Sequence, residues 1–270
     1  MDDNNSINSD LDRFLNMHSG RDFRQHSGSD PSAIIKREEW WISHFDFLKE
    51  HGYLMRPRYR PGWKPSYDPT ILGGLWAEDG QVLAHRFIMD ALRISDSLVV
   101  AMKRVKNSSS EEQIATFFSD DAHKSDPRNH CVRIIDIIPV PEEEEKILLS
   151  DDLDASSDGP SISDGGRRNP GLQYMHQNNV AHRDCALNNM AMDASAMYTR
   201  PYHPVKQKKR YDWSGRALHH SRTRRPPRYY IIDFGQSRMY DPSQPRPVEY
   251  ALRSGGYTPP EGLEGVPLAW

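Results

Sequence analysis

The sequence has few cysteines, no long apolar run and no apolar leader. Its two cysteines, Cys131 and Cys185, allow at most one disulfide and lie in no CxxC spacing, which argues against a disulfide scaffold or a thiolate metal site. No run approaches the roughly 18–20 apolar residues of a membrane-spanning helix. The opening MDDNNSINSD is acidic and polar, without a secretory h-region. We therefore expect an intracellular protein, cytoplasmic or nuclear, with no membrane segment.

Apolar residues are also scarce, and the net charge is small. Hydrophobic residues make up 36% of the 270 residues and the mean hydropathy is −0.80. We therefore expect a compact core together with segments that do not pack against it, including a disordered N-terminus at 1–29. The formal net charge of −3 argues against a uniformly basic nucleic-acid binder. Charge is nevertheless uneven, since nine acids and one lysine occupy 142–164 while nine lysines or arginines and one aspartate occupy 206–228.

The chain after residue 29 alternates between helical and strand patterns. A helix is predicted from a cap at Asp30 to a stop at Gly52, with an apolar stripe of Trp41, Phe45 and Leu48. The proline-rich segment 53–68 is expected to lie extended across a surface. The later patterns predict a hairpin of strands 82–89 and 98–105, a helix at 110–118, strands at 131–138 and 147–149, and a short helix at 169–176.

The first chemical motif combines a strand with the helix that follows it. Val-Ala-Met-Lys at 100–103 ends a predicted strand, and Glu111 lies eight residues later at the start of a predicted helix. A glutamate in this place could hold the Lys103 ammonium in a fixed position. Glu112 is an alternative partner, and either acid could instead be a solvated first-turn residue that the helix dipole favours.

Two further motifs bring acids and an amide to the ends of short apolar segments. The stretch 180–189, V-A-H-R-D-C-A-L-N-N, places Asp184 and Asn189 five residues apart. An acid there can accept a hydroxyl proton, and an amide oxygen can hold a metal ion. The stretch 229–235, Y-Y-I-I-D-F-G, runs an apolar strand into Asp233, a second oxygen donor.

Together these motifs resemble those of the protein kinase family. V-A-M-K at 100–103 is similar to the family's V-A-I-K, and H-R-D-x-x-x-x-N and D-F-G follow it in family order. SGGYTPPE at 254–261 is similar to the family's T-x-x-Y-x-A-P-E. The surrounding sequence resembles divergent fungal protein-kinase-like proteins. The resemblance implies an α+β, two-lobed protein-kinase-like fold with a β-rich N-lobe and an incomplete helical C-lobe. It divides the chain into a disordered 1–29, a helix and proline-rich extension at 30–79, a kinase-like domain at 80–261 and a tail at 262–270.

The resemblance also implies ATP and Mg²⁺ as cofactors and a role for each candidate residue. Lys103 would neutralise nucleotide phosphates and would be oriented by Glu111. Asn189 and Asp233 would hold Mg²⁺ against the phosphates, and Asp184 would position the acceptor hydroxyl and accept its proton.

The chain departs from the family in several places. Residues 80–102 contain one glycine, Gly80, where the family has three ahead of the lysine. Ala186 and Asn188 match neither the serine/threonine nor the tyrosine kinase pattern, which leaves the hydroxyl preference open. A glycine- and arginine-rich run at 165–170 stands where a longer helix is usual, and the chain stops nine residues after Glu261, as a truncated gene product would. Two functions therefore stay open: phosphoryl transfer to a protein hydroxyl, and an inactive pseudokinase or binding scaffold.

A third possibility concerns the basic segment 206–228. With Tyr211 and Trp213 among its cations, it could contact nucleic acid through phosphates and stacking. We favour a solvated basic insertion between two strands, so that nucleic acid is not an expected partner; the protein partner and the oligomeric state are left open. The histidines lack zinc-ligand spacing and are expected mostly at the surface, with His182 packing beneath the catalytic loop.

Overall fold

The computed structural model describes residues 32–68, 72–82, 85–151 and 170–245, together with short strands at 249–250 and 267–268. Within these ranges the protein is a mixed α+β structure, as the sequence predicts. The expectations for 1–29, for the cap at Asp30 and for the motif at 254–261 lie outside the described residues. No helix in the described ranges has both the length and the apolar character needed to cross a membrane.

The helices and strands are numbered in chain order. The α-helices are α1 (Lys36–Ser43), α2 (Phe45–Glu50), α3 (Ser110–Ser119) and α4 (Pro170–Gln177). The strands are β1 (Tyr53–Leu54), β2 (Ile88–Arg93), β3 (Val99–Lys106), β4 (Ile134–Pro139), β5 (Glu145–Asp151), β6 (Val180–Ala181), β7 (Met190–Asp193), β8 (Arg228–Ile231), β9 (Arg238–Met239), β10 (Glu249–Tyr250) and β11 (Pro267–Leu268). Short 3₁₀ turns occupy Pro57–Tyr59, Leu72–Leu75, Glu78–Gly80, Leu187–Asn189 and Phe234–Gln236.

Five strands form one antiparallel sheet in the order β1-β2-β3-β5-β4. The predicted hairpin is confirmed as β2 and β3, and Ser97 in its turn has a φ of 61°. The first strand begins at Ile88 rather than at residue 82. The Arg86 carbonyl just before it accepts a hydrogen bond from the Trp41 indole at 3.1 Å. The shorter pairs β6-β9, β7-β8 and β10-β11 lie outside this sheet.

The two faces of the sheet carry different side chains, because residues alternate along a strand. Met89 and Met102 point into an apolar core with the stripe of α1 and α2. Lys103 and its cross-strand partners Ile88 and Leu148 belong to the opposite face. That face receives α3, whose Ile114, Ala115 and Phe118 are buried in a second core. The lysine therefore emerges on the side where the helix packs.

The N-terminal helical pattern forms two helices rather than the single one that was predicted. Trp41, Phe45 and Leu48 are 0–4% exposed, so the predicted stripe is confirmed. At His44 the backbone leaves helical geometry (φ −103°, ψ 11°), while its Nδ1 lies 2.8 Å from the carbonyl oxygen of Trp40. Side-chain bonding to that carbonyl competes with the helical ladder. Gly52, with a φ of 89°, then turns the chain into β1.

Other predicted elements are confirmed with shifted bounds. Helix α3 follows the prediction, and the Ser109 hydroxyl caps it by accepting the Glu112 N–H at 3.2 Å. The strand predicted from residue 131 begins at Ile134, because Cys131 pairs instead with Ile231 in an isolated parallel bridge. Strand β5 is longer than the predicted 147–149, since it pairs with both β3 and β4.

Candidate active site

Lys103 makes two ion pairs at the edge of the second core. Its Nζ donates to the carboxylate of Glu111, in the first turn of α3, and to Asp233 Oδ1 at 2.8 Å. Glu112 does not share this contact: its side chain accepts from the Ser108 N–H at 2.7 Å and from Lys146 at 2.5 Å. Of the two acids that the sequence left open, Glu111 is the partner of Lys103.

The ion pairs fix the charges of Lys103 and Asp233. Burial lowers the pKa of the Lys103 ammonium, but the charges of Glu111 and Asp233 raise it by more, so the pKa lies above its usual value. Burial likewise raises the pKa of the Asp233 carboxyl, and the charge and hydrogen bond of Lys103 outweigh this, so that pKa is lowered. At neutral pH both groups are ionised.

Asp184 and Asn189 lie against each other in the loop after β6. The Asn189 Nδ2 donates to the carbonyl oxygen of Asp184 at 2.8 Å and to its Oδ2 at 2.9 Å. Asn189 is 4% exposed, so its amide orientation is well determined by these contacts. Since the amide nitrogen faces Asp184, the amide oxygen faces away from it, where it accepts a hydrogen bond from the Asn188 Nδ2 at 3.3 Å. A metal ion that took this oxygen as a ligand would replace that contact.

Pairing of β7 with β8 brings this loop to Asp233. Met190 lies opposite Ile231, and the Ile232 N–H donates to the Asn189 carbonyl at 3.0 Å. Asn189 and Asp233 therefore stand side by side at one end of the hairpin. Through Asp233 the hairpin also reaches Lys103, so residues from four separate segments of the chain meet in one place.

Two residues at this place adopt a left-handed backbone. Asp233 has φ 62° and ψ 74°, and Arg183 has φ 67°. Such conformations are strained in residues other than glycine and persist where the surroundings hold them, often at functional sites. Here Phe234, 1% exposed, is buried against the rings of His182 and Phe118 at 5.8 and 6.5 Å.

His182 supports the loop as a neutral packing residue, as predicted. It is 1% exposed, and burial is the largest effect on its ring, whose pKa is lowered. Its Nε2 lies 2.9 Å from the Ile232 carbonyl, and its Nδ1 accepts the Asp184 N–H at 3.3 Å. One imidazole thus joins the segment of Asp184 to the segment of Asp233.

The oxygen donors of the site fit a metal ion held jointly with phosphates. Among the described residues, no group of three or more His, Cys, Asp or Glu could hold a metal ion. Mg²⁺, however, usually takes one or two protein oxygens and completes its octahedron with phosphates and waters. The Asp233 carboxylate and the Asn189 amide oxygen are donors of this kind, whereas a self-contained protein cage is not present in the described ranges.

The connection between β1 and β2 differs from a glycine-rich phosphate loop. It runs through residues 55–87 and is held by two buried arginines, Arg56 at 3% and Arg58 at 0% exposure. Arg58 pairs with Glu38 of α1 at 2.6 Å. Gly80 lies so close to the Gly74 carbonyl that a Cβ would come within 1.9 Å of its oxygen. This glycine therefore serves the packing of the connection.

The basic insertion is not simply solvated, which corrects the expectation from sequence. Residues 194–227 join β7 to β8 and contain their own buried cluster, which includes Met197, Tyr202 and Ala217. Most histidines of the described residues lie at least partly at the surface, as expected, but His203 is 0% exposed. Most of the cations remain at the surface, but Tyr202 and His203 pack inward. The sequence shows the cations and the rings of Tyr211 and Trp213, but it does not reveal what those rings contact.

No protein-family model matches this chain, and no curated protein matches it.

Proposed function

We propose that this chain contains a nucleotide-binding domain of the protein-kinase-like class. More specifically, we propose that it binds ATP with Mg²⁺ and transfers the terminal phosphoryl group to a protein hydroxyl. The observation that carries the proposal is the position of Lys103 between Glu111 and Asp233. A lysine on the third strand, a glutamate on the next helix and the aspartate of D-F-G are the parts that must be assembled in an active kinase.

The fold is compatible with the two lobes that the resemblance implies. The five-stranded sheet with α3 would be the β-rich lobe. The segments from α4 onwards, with the loop of Asp184 and the hairpin of Asn189, would belong to the second. The candidate residues then face each other between a sheet on one side and a loop and hairpin on the other.

The proposed chemistry is mainly positioning and electrostatic stabilisation. Lys103, held by Glu111, would neutralise charge on the nucleotide phosphates. Asn189 and Asp233 would hold Mg²⁺, which supplies charge neutralisation at the phosphates. Asp184 would orient the acceptor hydroxyl and take its proton as the hydroxyl oxygen bonds to the terminal phosphorus and the bond to the bridging oxygen breaks, which leaves ADP.

A second candidate is ATP·Mg²⁺ binding without transfer. The long connection at residues 55–87 favours it, because three closely spaced glycines are what lets backbone amides approach phosphates in the family. With Gly80 used in packing, side chains would have to replace those amides. Weaker control of the terminal phosphate would reduce transfer more than binding.

Ligand-dependent stabilisation tests nucleotide binding. A ligand that binds only the folded state raises the melting temperature by mass action. ATP with MgCl₂ should raise it for the wild type and for Asp241→Ala, and should fail to do so for Asp233→Ala. Asp241 is a matched control, since it is an exposed aspartate that caps a turn at Ser243 eight residues away. A wild type that shows no shift would exclude both candidate functions.

Transfer to a generic protein acceptor separates the two candidates. Asp184→Asn should keep the ATP·Mg²⁺ shift but lose transfer by about 10²–10⁴-fold, the usual contribution of a general base. A wild type that binds ATP·Mg²⁺ without measurable transfer would establish the scaffold function instead.

A further inference from the structure

The insertion is attached to the proposed site at both of its ends. It leaves β7, which begins directly after Asn189, and it returns through β8, which ends two residues before Asp233. The middle of the insertion reaches the five-stranded sheet. The Tyr211 hydroxyl donates to Asp90 Oδ2 of β2 at 3.0 Å. The insertion therefore links the hairpin that carries Asn189 to the sheet that carries Lys103.

The contact with the sheet is a buried polar cluster, which we call the hub: Arg56, Glu78, Asp90, His203 and Tyr211. Arg56 Nε donates to both Asp90 oxygens at 3.0–3.1 Å, and its Nη1 donates to Glu78 Oε1 at 3.1 Å. His203 Nε2 lies 3.4 Å from the same Glu78 oxygen. Arg56, Asp90 and His203 are at most 4% exposed. A buried arrangement of this kind is specific, because each polar group would be costly to leave unpaired.

The hub lies on the Lys103 face of the sheet. Asp90 pairs with Ala101, and Ile88 pairs with Lys103, so Asp90 is displaced from the lysine by one step of the same face. The opposite face is occupied by the core that contains Met89 and Met102. The insertion thus contacts the sheet beside the proposed ligand site, on the side from which Lys103 emerges.

We propose that the docked insertion positions Asn189 and Asp233 relative to Lys103, with Tyr211 and His203 as its positioning residues. This inference rests on the proposed function. When ATP and Mg²⁺ bind, Lys103 would turn to phosphate and Asp233 to the metal, so their direct ion pair would no longer join the two sides. The hub is outside the ligand site and keeps the sheet and the hairpin in register while the ligand lies between them.

Tyr211→Phe is the sharpest variant. It removes one hydroxyl donor and leaves the Arg56–Asp90 pair in place, so the fold is expected to persist. Tyr198→Phe is the matched control, because the Tyr198 ring packs against the Tyr202 ring, with centroids 4.3 Å apart, within the insertion's own cluster. Hydrogen exchange over 198–217 reports docking of the insertion. Calorimetric titration with ATP, in MgCl₂ and separately in EDTA, reports the ligand site.

Tyr211→Phe should speed exchange over 198–217 and weaken ATP binding in MgCl₂ by about threefold to tenfold, the scale of one ordinary intramolecular hydrogen bond. Binding in EDTA should change less, since Asn189 and Asp233 act through the metal whereas Lys103 contacts phosphate directly. Tyr198→Phe should leave both affinities unchanged.

Three outcomes would decide against the inference. Faster exchange with unchanged affinity in MgCl₂ would show that docking is only structural. Equal weakening of ATP binding in MgCl₂ and in EDTA would show that the insertion does not position the metal-binding residues. A wild type that does not bind ATP·Mg²⁺ would overturn the proposed function and this inference with it, and the wild-type titration alone distinguishes that failure from the other two.

Discussion

Lys103 is one of two lysines that reach from the sheet to the start of α3. Lys103 pairs with Glu111, and Lys146 of β5 pairs with Glu112. Their side chains are similarly exposed, at 25% and 28%, and so are those of the two glutamates, at 15% and 13%. The two ion pairs therefore make similar contributions to the packing of α3. They differ because only the Lys103 pair also includes Asp233.

Matched substitutions use this similarity to separate stability from function. Lys103→Met and Lys146→Met should each lower the free energy of unfolding by about 1 kcal/mol, as expected for partly exposed pairs, measured by urea unfolding. Only Lys103→Met should abolish the rise in melting temperature caused by ATP with MgCl₂. If both variants or neither lose that rise, Lys103 is not a specific phosphate ligand.

The insertion shows at the scale of an element why sequence reasoning reached only part of the structure. The strands, including the one before Asp233, and α3 could be predicted, because the alternation of apolar and polar residues and their helical spacing depend only on residues close together in the sequence. The hub could not, since Tyr211 and Asp90 are 121 positions apart and His203 and Arg56 are 147 apart. A buried arginine such as Arg56 also has no local pattern that distinguishes it from a solvated one.

His203 gives the docked insertion an expected sensitivity to acid. Its Nδ1 accepts the N–H groups of Val205 and Lys206 at 3.2 and 3.1 Å, which requires that nitrogen to be unprotonated. Burial is the main cause that lowers its pKa below 6.5; the Arg56 charge adds to this, and the hydrogen bond with Glu78 opposes it. Besides Glu78, the hub contains the carboxylate of Asp90, which accepts a hydrogen bond from the Tyr211 hydroxyl.

The direction of the pH effect follows from this lowered pKa. The unfolded chain takes up the proton first, so the contribution of His203 is complete above pH 6.5 and is lost as pH falls through the folded-state pKa. In urea unfolding, His203→Gln should reduce the loss of stability between about pH 7 and about pH 5. The pKa values of His85 and His182 are also lowered, so these two residues should account for the pH dependence of stability that remains. The exposed His219→Gln is the control, and an unchanged slope in His203→Gln would contradict the prediction.

Considered as a whole molecule, the two sides of the proposed site share one apolar core. Val105 and Leu148 of the sheet lie in the same cluster as Tyr174 and Met175 of α4. Phe234, beside Asp233, and Ile231 of β8 belong to it as well. The other core, under α1 and α2, shares β3 and β5 with this one through Met102 and Leu149. Because the same strands contribute to both, neither core should come apart while the other stays intact.

A matched pair of core substitutions tests this cooperativity. Met102 of β3 and Met175 of α4 are both 0% exposed but lie in different cores. Met102→Ala and Met175→Ala should each lower the free energy of unfolding by about 2–5 kcal/mol, the usual cost of a buried Met→Ala change. Each should shift a single transition that has the same midpoint by circular dichroism and by tryptophan fluorescence. Two separate transitions, of which Met175→Ala moves only one, would instead mean that the sheet with α1 and α2 folds independently of the segments that carry Asp184 and Asp233.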